Sequence, residues 1–199
     1  TYTDQIISDT RRVEDIFTDV PATSWYRDYV QYVYDHALMG GVSKTEFRPN
    51  GTLTRAQVAQ ILYNQAGSPE VTGESRFTDV KSTAWYYDAV TWAAENRIVG
   101  GYTDGTFRPN QSITRQEVAV MLYARAGRPA VSGSLDGIFA DSGSVAKWAK
   151  DAMVWAYQNQ IMSGERTGDN LYLHPKNNAT RAQAAVMITH YAEQAESES

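Results

Sequence analysis

Cysteine is absent from this chain of 199 residues. That absence removes disulfides, thiolate metal sites and a thiol nucleophile together. No apolar run approaches the roughly 20 residues needed to cross a bilayer, so membrane insertion is not expected. Positive charge is also short: the net charge of −5 leaves no basic face for nucleic acid. Histidine is scarce, and His36, His174 and His190 show no metal-ligand spacing. No nucleophile elbow, phosphate-binding glycine loop or zinc motif occurs. Asp104-Gly105 lacks the alternating oxygen ligands of a calcium loop. The acidic residues repeat at capping positions or scatter through loops, so no enzyme and no cofactor are expected. The chain opens at Thr1 without a signal-like stretch and reads as part of a longer polypeptide.

Apolar residues make up 42% of the chain, enough for a real core, and aromatics 12%, with five Trp and thirteen Tyr. These are arranged in repeats. Phe17-Thr18-Asp19, Phe77-Thr78-Asp79 and Phe139-Ala140-Asp141 each precede a tryptophan: Trp25, Trp85 and Trp148. Gly40-Gly41, Gly100-Gly101 and Ser163-Gly164 follow. A Pro-containing loop then leads to Thr54-Arg55, Thr114-Arg115 and Thr180-Arg181. The first two units are offset by 60 residues at every landmark; between the second and third the offsets are 62, 63 and 66. Length changes confined to loops are what a repeated folded unit tolerates. Fixed-period repetition of this kind marks three copies of one unit: residues 17–67, 77–127 and 138–193, preceded by a linker or short docking segment over residues 1–16.

Each unit reads as helix, loop, helix. The first helix is expected from about Trp25 to Leu38, with Val30, Val33 and Ala37 on one face and the glycine pair as its stop. The second opens at the Thr-Arg pair, where Val58, Ile61, Leu62 and Ala66 form a stripe repeated at Val118, Met121, Leu122 and Ala126, and at Ala184, Met187, Ile188 and Ala192. Gly67 and Gly127 follow their helices as terminators. One such pair buries its stripe poorly, so the fold class expected is mainly α: three tandem helix-loop-helix repeats packed with pseudo-threefold symmetry around a central helical bundle.

The Thr-Arg pair divides into two roles. Thr54, Thr114 and Thr180 precede Gln57, Glu117 and Gln183 by three residues, the capping-box pattern of a helix start. The arginine is not needed for a cap. In the first turn a cation opposes the helix dipole by about 0.3–1 kcal/mol, so Arg55, Arg115 and Arg181 call for partners. One reading is internal, a salt bridge to the repeated Asp19, Asp79 and Asp141. The other is an anion site, where free N–H groups at the helix start and a forked guanidinium converge on a carboxylate or phosphate. Trp25, Trp85 and Trp148 read first as core, and second as platforms for a pyranose face. Gly41, Gly101 and Gly164 either admit a ligand close to the backbone or only end a helix. Asp28, Asp88 and Asp151 suit a first helical turn.

The run from Gly101 to Asn110, followed by Ile113-Thr114-Arg115-Gln116-Glu117, closely resembles the S-layer homology domain, as does Phe-x-Asp-Val with its Trp eight residues on. The resemblance covers all three units. It implies a secreted protein of the bacterial cell surface, wall or S-layer. In that setting the module is a non-covalent anchor, gripping an anionic cell-wall polysaccharide that carries ketal-linked pyruvate in grooves between units. On this basis Arg55, Arg115 and Arg181 are the expected carboxylate contacts, with Gly41, Gly101, Gly164, Trp25, Trp85, Trp148, Asp19, Asp79 and Asp141 completing the candidate set, in a module expected to be monomeric. The rival function is a protein-interaction module of a surface assembly. Unit 2 is nearest the pattern; Lys44-Thr45 replaces Asp104-Gly105 in unit 1, and the loop from Glu165 to Tyr172 is three residues longer in unit 3. Unequal grooves are therefore expected, with those of Arg55 and Arg115 the better ones.

Overall fold

The structure is a computed structural model and describes residues 11–197. Its second helices start where the threonines are. Helices α3 (Arg55–Gln65) and α5 (Arg115–Arg125) open in full capping boxes. In the first, the Gln57 N–H donates to Thr54 Oγ1 at 3.2 Å and the Thr54 N–H to Gln57 Oε1 at 2.8 Å. Helix α7 (Arg181–Ser197) opens the same way, with bonds of 3.1 and 3.0 Å between Thr180 and Gln183. Two orphan donors per helix are thus satisfied. The stripes point inward: Val58, Leu62, Val118, Leu122, Ala184 and Ile188 are wholly buried, whereas Ala126 is exposed.

The first helices are shorter than the sequence pattern suggests. They are α2 (Arg27–Asp35), α4 (Tyr87–Glu95) and α6 (Lys150–Gln158). Trp25 and Trp85 lie in turns ahead of α2 and α4, and Trp148 in a 3₁₀ turn, Lys147–Ala149. The glycine pair does not stop these helices. Each ends earlier, at Ala37, Arg97 or Gln160, whose φ values of 54°, 57° and 57° are left-handed. The reversal sends Leu38, Ile98 and Ile161 back into the core, their N–H groups bonded to Val33, Ala93 and Ala156 carbonyls at 2.8 Å. Burying a large aliphatic side chain, worth about 1.5–3 kcal/mol, outweighs the roughly 1–2 kcal/mol of a left-handed non-glycine residue. Ala37 consequently faces solvent instead of the core.

Contacts between units close a cycle. Helix α3 of unit 1 packs on α4 of unit 2, α5 of unit 2 on α6 of unit 3, and α7 of unit 3 on α2 of unit 1. The extended segments before the second helices pair in the same order: Thr54 with Ser112, Thr114 with Asn178, and Thr180 with Thr52. The arrangement is mainly helical and consistent with pseudo-threefold packing of three repeats.

The longer loop of unit 3 is a two-stranded hairpin, β1 (Glu165–Thr167) and β2 (Asn170–Tyr172), paired antiparallel with Glu165 opposite Tyr172. Ahead of unit 1, a single helical turn, α1 (Val13–Ile16), docks on α2. Val13 is buried, its N–H bonded to Gln31 Oε1 at 2.9 Å, and Glu14 pairs with Arg27 at 2.8 Å. Ile6 and Ile7, two further apolar residues of the expected docking segment, lie outside the described residues.

Candidate functional site

The backbone N–H groups at the second-helix starts are not free for an anion. Those of Arg55 and Ala56 bond the Gln111 and Pro109 carbonyls of unit 2 at 3.0 Å. Arg115 and Gln116 do the same with Asn177 and Pro175 of unit 3, and Arg181 and Ala182 with Gly51 and Pro49 of unit 1. The third donor goes to the capping threonine. Each helix start is spent on the neighbouring unit's proline loop, so the expected convergence of N–H groups and guanidinium does not occur.

The arginine side chains follow the backbone across the unit boundary. Arg55 Nε donates to the Phe107 carbonyl at 2.9 Å, Arg115 Nε to Leu173 at 2.9 Å, and Arg181 Nε to Phe47 at 2.7 Å. The guanidinium of Arg55 also lies 4.9 Å from the Phe107 ring and that of Arg181 4.6 Å from Phe47. All three arginines are buried, at 8%, 6% and 6% exposure. Burial pushes the Arg115 and Arg181 guanidinium groups below their ordinary range; Glu165 and Asp141 oppose this at Arg115, and Asp19 at Arg181. The Nε bond fixes the fork, and each arginine lines a groove between units.

The repeated aspartates do not face the grooves. Asp19 accepts the Phe47 and Arg48 N–H groups at 2.9 and 2.7 Å; Asp79 accepts those of Phe107 and Arg108, and Asp141 those of Leu173 and His174, all at 2.8 Å. Arg48, Arg108 and His174 have left-handed φ values of 56°, 59° and 49°. Each carboxylate therefore clamps a strained turn whose preceding carbonyl holds the arginine. The salt-bridge reading is thereby corrected: among the described residues no ion pair joins these carboxylates to the arginines, because both oxygens of each are taken by loop N–H groups.

The glycines have a packing reason to be glycine. A Cβ at Gly41, Gly101 or Gly164 would run into the ring of Phe17, Phe77 or Phe139. Gly101 and Gly164 also have left-handed φ values of 73° and 78°. The phenylalanine of each Phe-x-Asp element thus lies under the glycine that follows, and all three glycines line grooves.

The tryptophans reverse the core reading. Trp25, Trp85 and Trp148 are 63%, 62% and 62% exposed, and each stands in a groove built by the other two units. One cavity of about 470 Å³ has Arg55 of unit 1, Gly101, Tyr102, Glu117 and Met121 of unit 2, and Trp148 of unit 3. A second, about 350 Å³, has Arg115 of unit 2, Gly164, Glu165 and Met187 of unit 3, and Trp25 of unit 1. The third, about 250 Å³, has Arg181 of unit 3, Gly41, Gln57 and Ile61 of unit 1, and Trp85 of unit 2. A buried cation, a glycine-walled side, an apolar floor and an exposed indole suit a ligand with both an acid group and a flat C–H face.

A family model for the S-layer homology domain matches residues 16–59, 76–119 and 138–185. The chain belongs to the S-layer homology domain family. It is 34% identical over 176 residues to an endoglucanase of Bacillus sp. (strain KSM-635), covering 87% of this chain and 18% of that protein. It is also 34% identical to the surface-layer 125 kDa protein of Lysinibacillus sphaericus, over 84% of this chain and 14% of that one. A cellulosome-anchoring protein of Acetivibrio thermocellus is 37% identical over 81 residues, 39% of this chain and 18% of that protein. The segment matched by this chain thus makes up less than a fifth of each of these relatives. Enzymes and surface-layer proteins share it as a minor part, as expected of a binding and anchoring module. Among the described residues no helix is long and apolar enough to cross a membrane.

Glu117, Glu165 and Gln57 are groove residues that the sequence did not reveal as such. Glu117 and Gln57 read only as capping-box partners, and Glu165 as part of an insertion. A second signal was available for Glu117: it is the only acid among the three equivalent positions.

Proposed function

We infer that this module anchors its parent protein non-covalently to the bacterial cell wall at the cell surface. The ligand is an anionic wall polysaccharide bearing ketal-linked pyruvate, taken up in the grooves between units. The observation that carries this reading is the threefold recurrence of one constellation, a buried arginine aimed by a backbone carbonyl and faced by an exposed tryptophan from another unit. The arginine fork receives the pyruvate carboxylate, the indole stacks on the sugar, and the glycine wall lets the ketal carbon approach the backbone. The chain's own charge is negative, so affinity comes from local, partly desolvated contacts and depends only modestly on salt.

The test is sedimentation of the protein with protein-free wall preparations before and after mild acid removes pyruvate ketals. Binding that is lost with the ketals supports the anchor. Binding to protein-free wall that survives the acid treatment overturns pyruvate as the ligand, and binding that survives it but requires an added protein partner overturns the anchor in favour of an interaction module.

A further inference from the structure

The three grooves differ in what already sits beside the arginine. In the largest, Glu117 divides its carboxylate between two tasks. Oε2 accepts the Thr114 N–H at 2.8 Å in the capping box, and Oε1 accepts from Arg55 Nη1 at 3.1 Å. In the next, the equivalent residue is Gln183, which brings no charge, but the hairpin supplies one. Glu165 Oε1 accepts from Arg115 Nη1 at 3.2 Å and from Gln183 Nε2 at 2.9 Å, and its other oxygen is 3.8 Å from His174 Nε2. Glu165 is held there as an incoming acid would be. In the smallest, the equivalent residue is Gln57, and among the described residues no carboxylate lies within ion-pair distance of Arg181. Arg181 Nη2 instead donates to the Gly40 carbonyl at 2.6 Å.

Resting on the anchoring function inferred above, we propose that Glu117 and Glu165 are built-in competitors for the ligand's carboxylate, so that the Arg181 groove, which has none, holds an acidic sugar substituent most tightly. A second carboxylate at an occupied guanidinium meets like charge in a partly desolvated groove, or must first displace the resident one. Displacement is easier for Glu165, on a surface hairpin, than for Glu117, which is tied to the helix start by its other oxygen. The affinity order is then Arg181 groove, Arg115 groove, Arg55 groove. This reverses the order of cavity volume and places first the groove that the loop sequences rated below the other two.

Each groove carries its own reporter, since Trp85, Trp25 and Trp148 stand in the Arg181, Arg115 and Arg55 grooves. Their indole N–H signals, followed by NMR during titration with a short synthetic pyruvylated saccharide, resolve the three sites. The variants are Glu117→Gln, Glu165→Gln and Gln57→Glu; glutamine and glutamate both already serve in capping boxes of this chain, so the first and last keep their caps, and Glu165 is a half-exposed hairpin residue. Trp85 should respond at the lowest concentration. Glu117→Gln should tighten the Trp148 site about tenfold, Glu165→Gln the Trp25 site several-fold, and Gln57→Glu should weaken the Trp85 site about tenfold. Unchanged or weakened binding in the two Glu→Gln variants, with Gln57→Glu silent, would overturn the proposal while leaving the anchor intact. That result would mean the glutamates bind sugar hydroxyls instead. No response of any indole in any of the four proteins would overturn the anchoring reading together with it.

Discussion

The layer beneath the grooves and the rim around them obey different rules. Beneath, the three units are copies: an aspartate on two N–H groups, a left-handed residue after the clamped phenylalanine or leucine, a glycine over a phenylalanine, and an arginine Nε on a carbonyl. At the rim they diverge, with Glu117 in one groove, Glu165 on a hairpin in the next, and Gln57 in the last. The lesson is that the frame sets where the arginine points, while the rim sets what it meets. Substitutions in the frame should therefore change stability alike in every unit. Substitutions at the rim should leave stability alone and act on one groove at a time.

The largest effect is expected at the glycines. Gly101→Ala and Gly164→Ala combine a left-handed φ with a collision against Phe77 or Phe139, and each should lower unfolding free energy by about 2–4 kcal/mol in urea titrations. Very different costs at the two sites would break the claim that the frame is uniform. Next, Asp19→Ala, Asp79→Ala and Asp141→Ala each remove an acceptor of two N–H groups and should cost about 2–3 kcal/mol in the same titrations. Thr114→Ala removes one cap and should cost about 1 kcal/mol.

At the rim, Trp85→Ala should shift stability by less than about 0.5 kcal/mol while weakening saccharide binding at the Arg181 groove alone, as read by calorimetry. The smallest effect belongs to Asp104. The Thr106 hydroxyl and N–H, with help from Arg108, hold its carboxyl down to about 2. A depressed carboxyl contributes above its unfolded value near 4 and loses that contribution as pH falls through about 2. The carboxyl signal of Asp104 should titrate near 2 by NMR, with no counterpart in unit 1, where Lys44 occupies the place.

Much of the frame was legible in the residues. A threonine three positions before Gln or Glu specifies a cap locally, and all three caps form. The inward stripes follow from the 3.6-residue period for the same reason. What could not be read were interactions across unit boundaries. Arg55 and its acceptor Phe107 are 52 residues apart, and Arg181 and Phe47 are 134 apart. A repeat pattern says that units pack, but not which loop meets which helix start. The tryptophans were misread because a large ring beside a helix start has the same local pattern whether it faces the core or a cleft made by other units. The glycine pair was misread as a helix stop because left-handed Ala37, Arg97 and Gln160 carry no sequence mark of their role. Once the cycle is known, the aspartates, arginines and tryptophans take their places without further assumption.

The closure of unit 3 onto unit 1 has a consequence for the module's valence. An open array of repeats can shed or add a copy and change its capacity in proportion. Here no groove belongs to any single copy: deleting unit 3 would take Trp148 from one groove, a wall from the next and Arg181 from the last. The number of complete grooves would fall from three to none, and the closed cycle leaves no open face for a fourth copy.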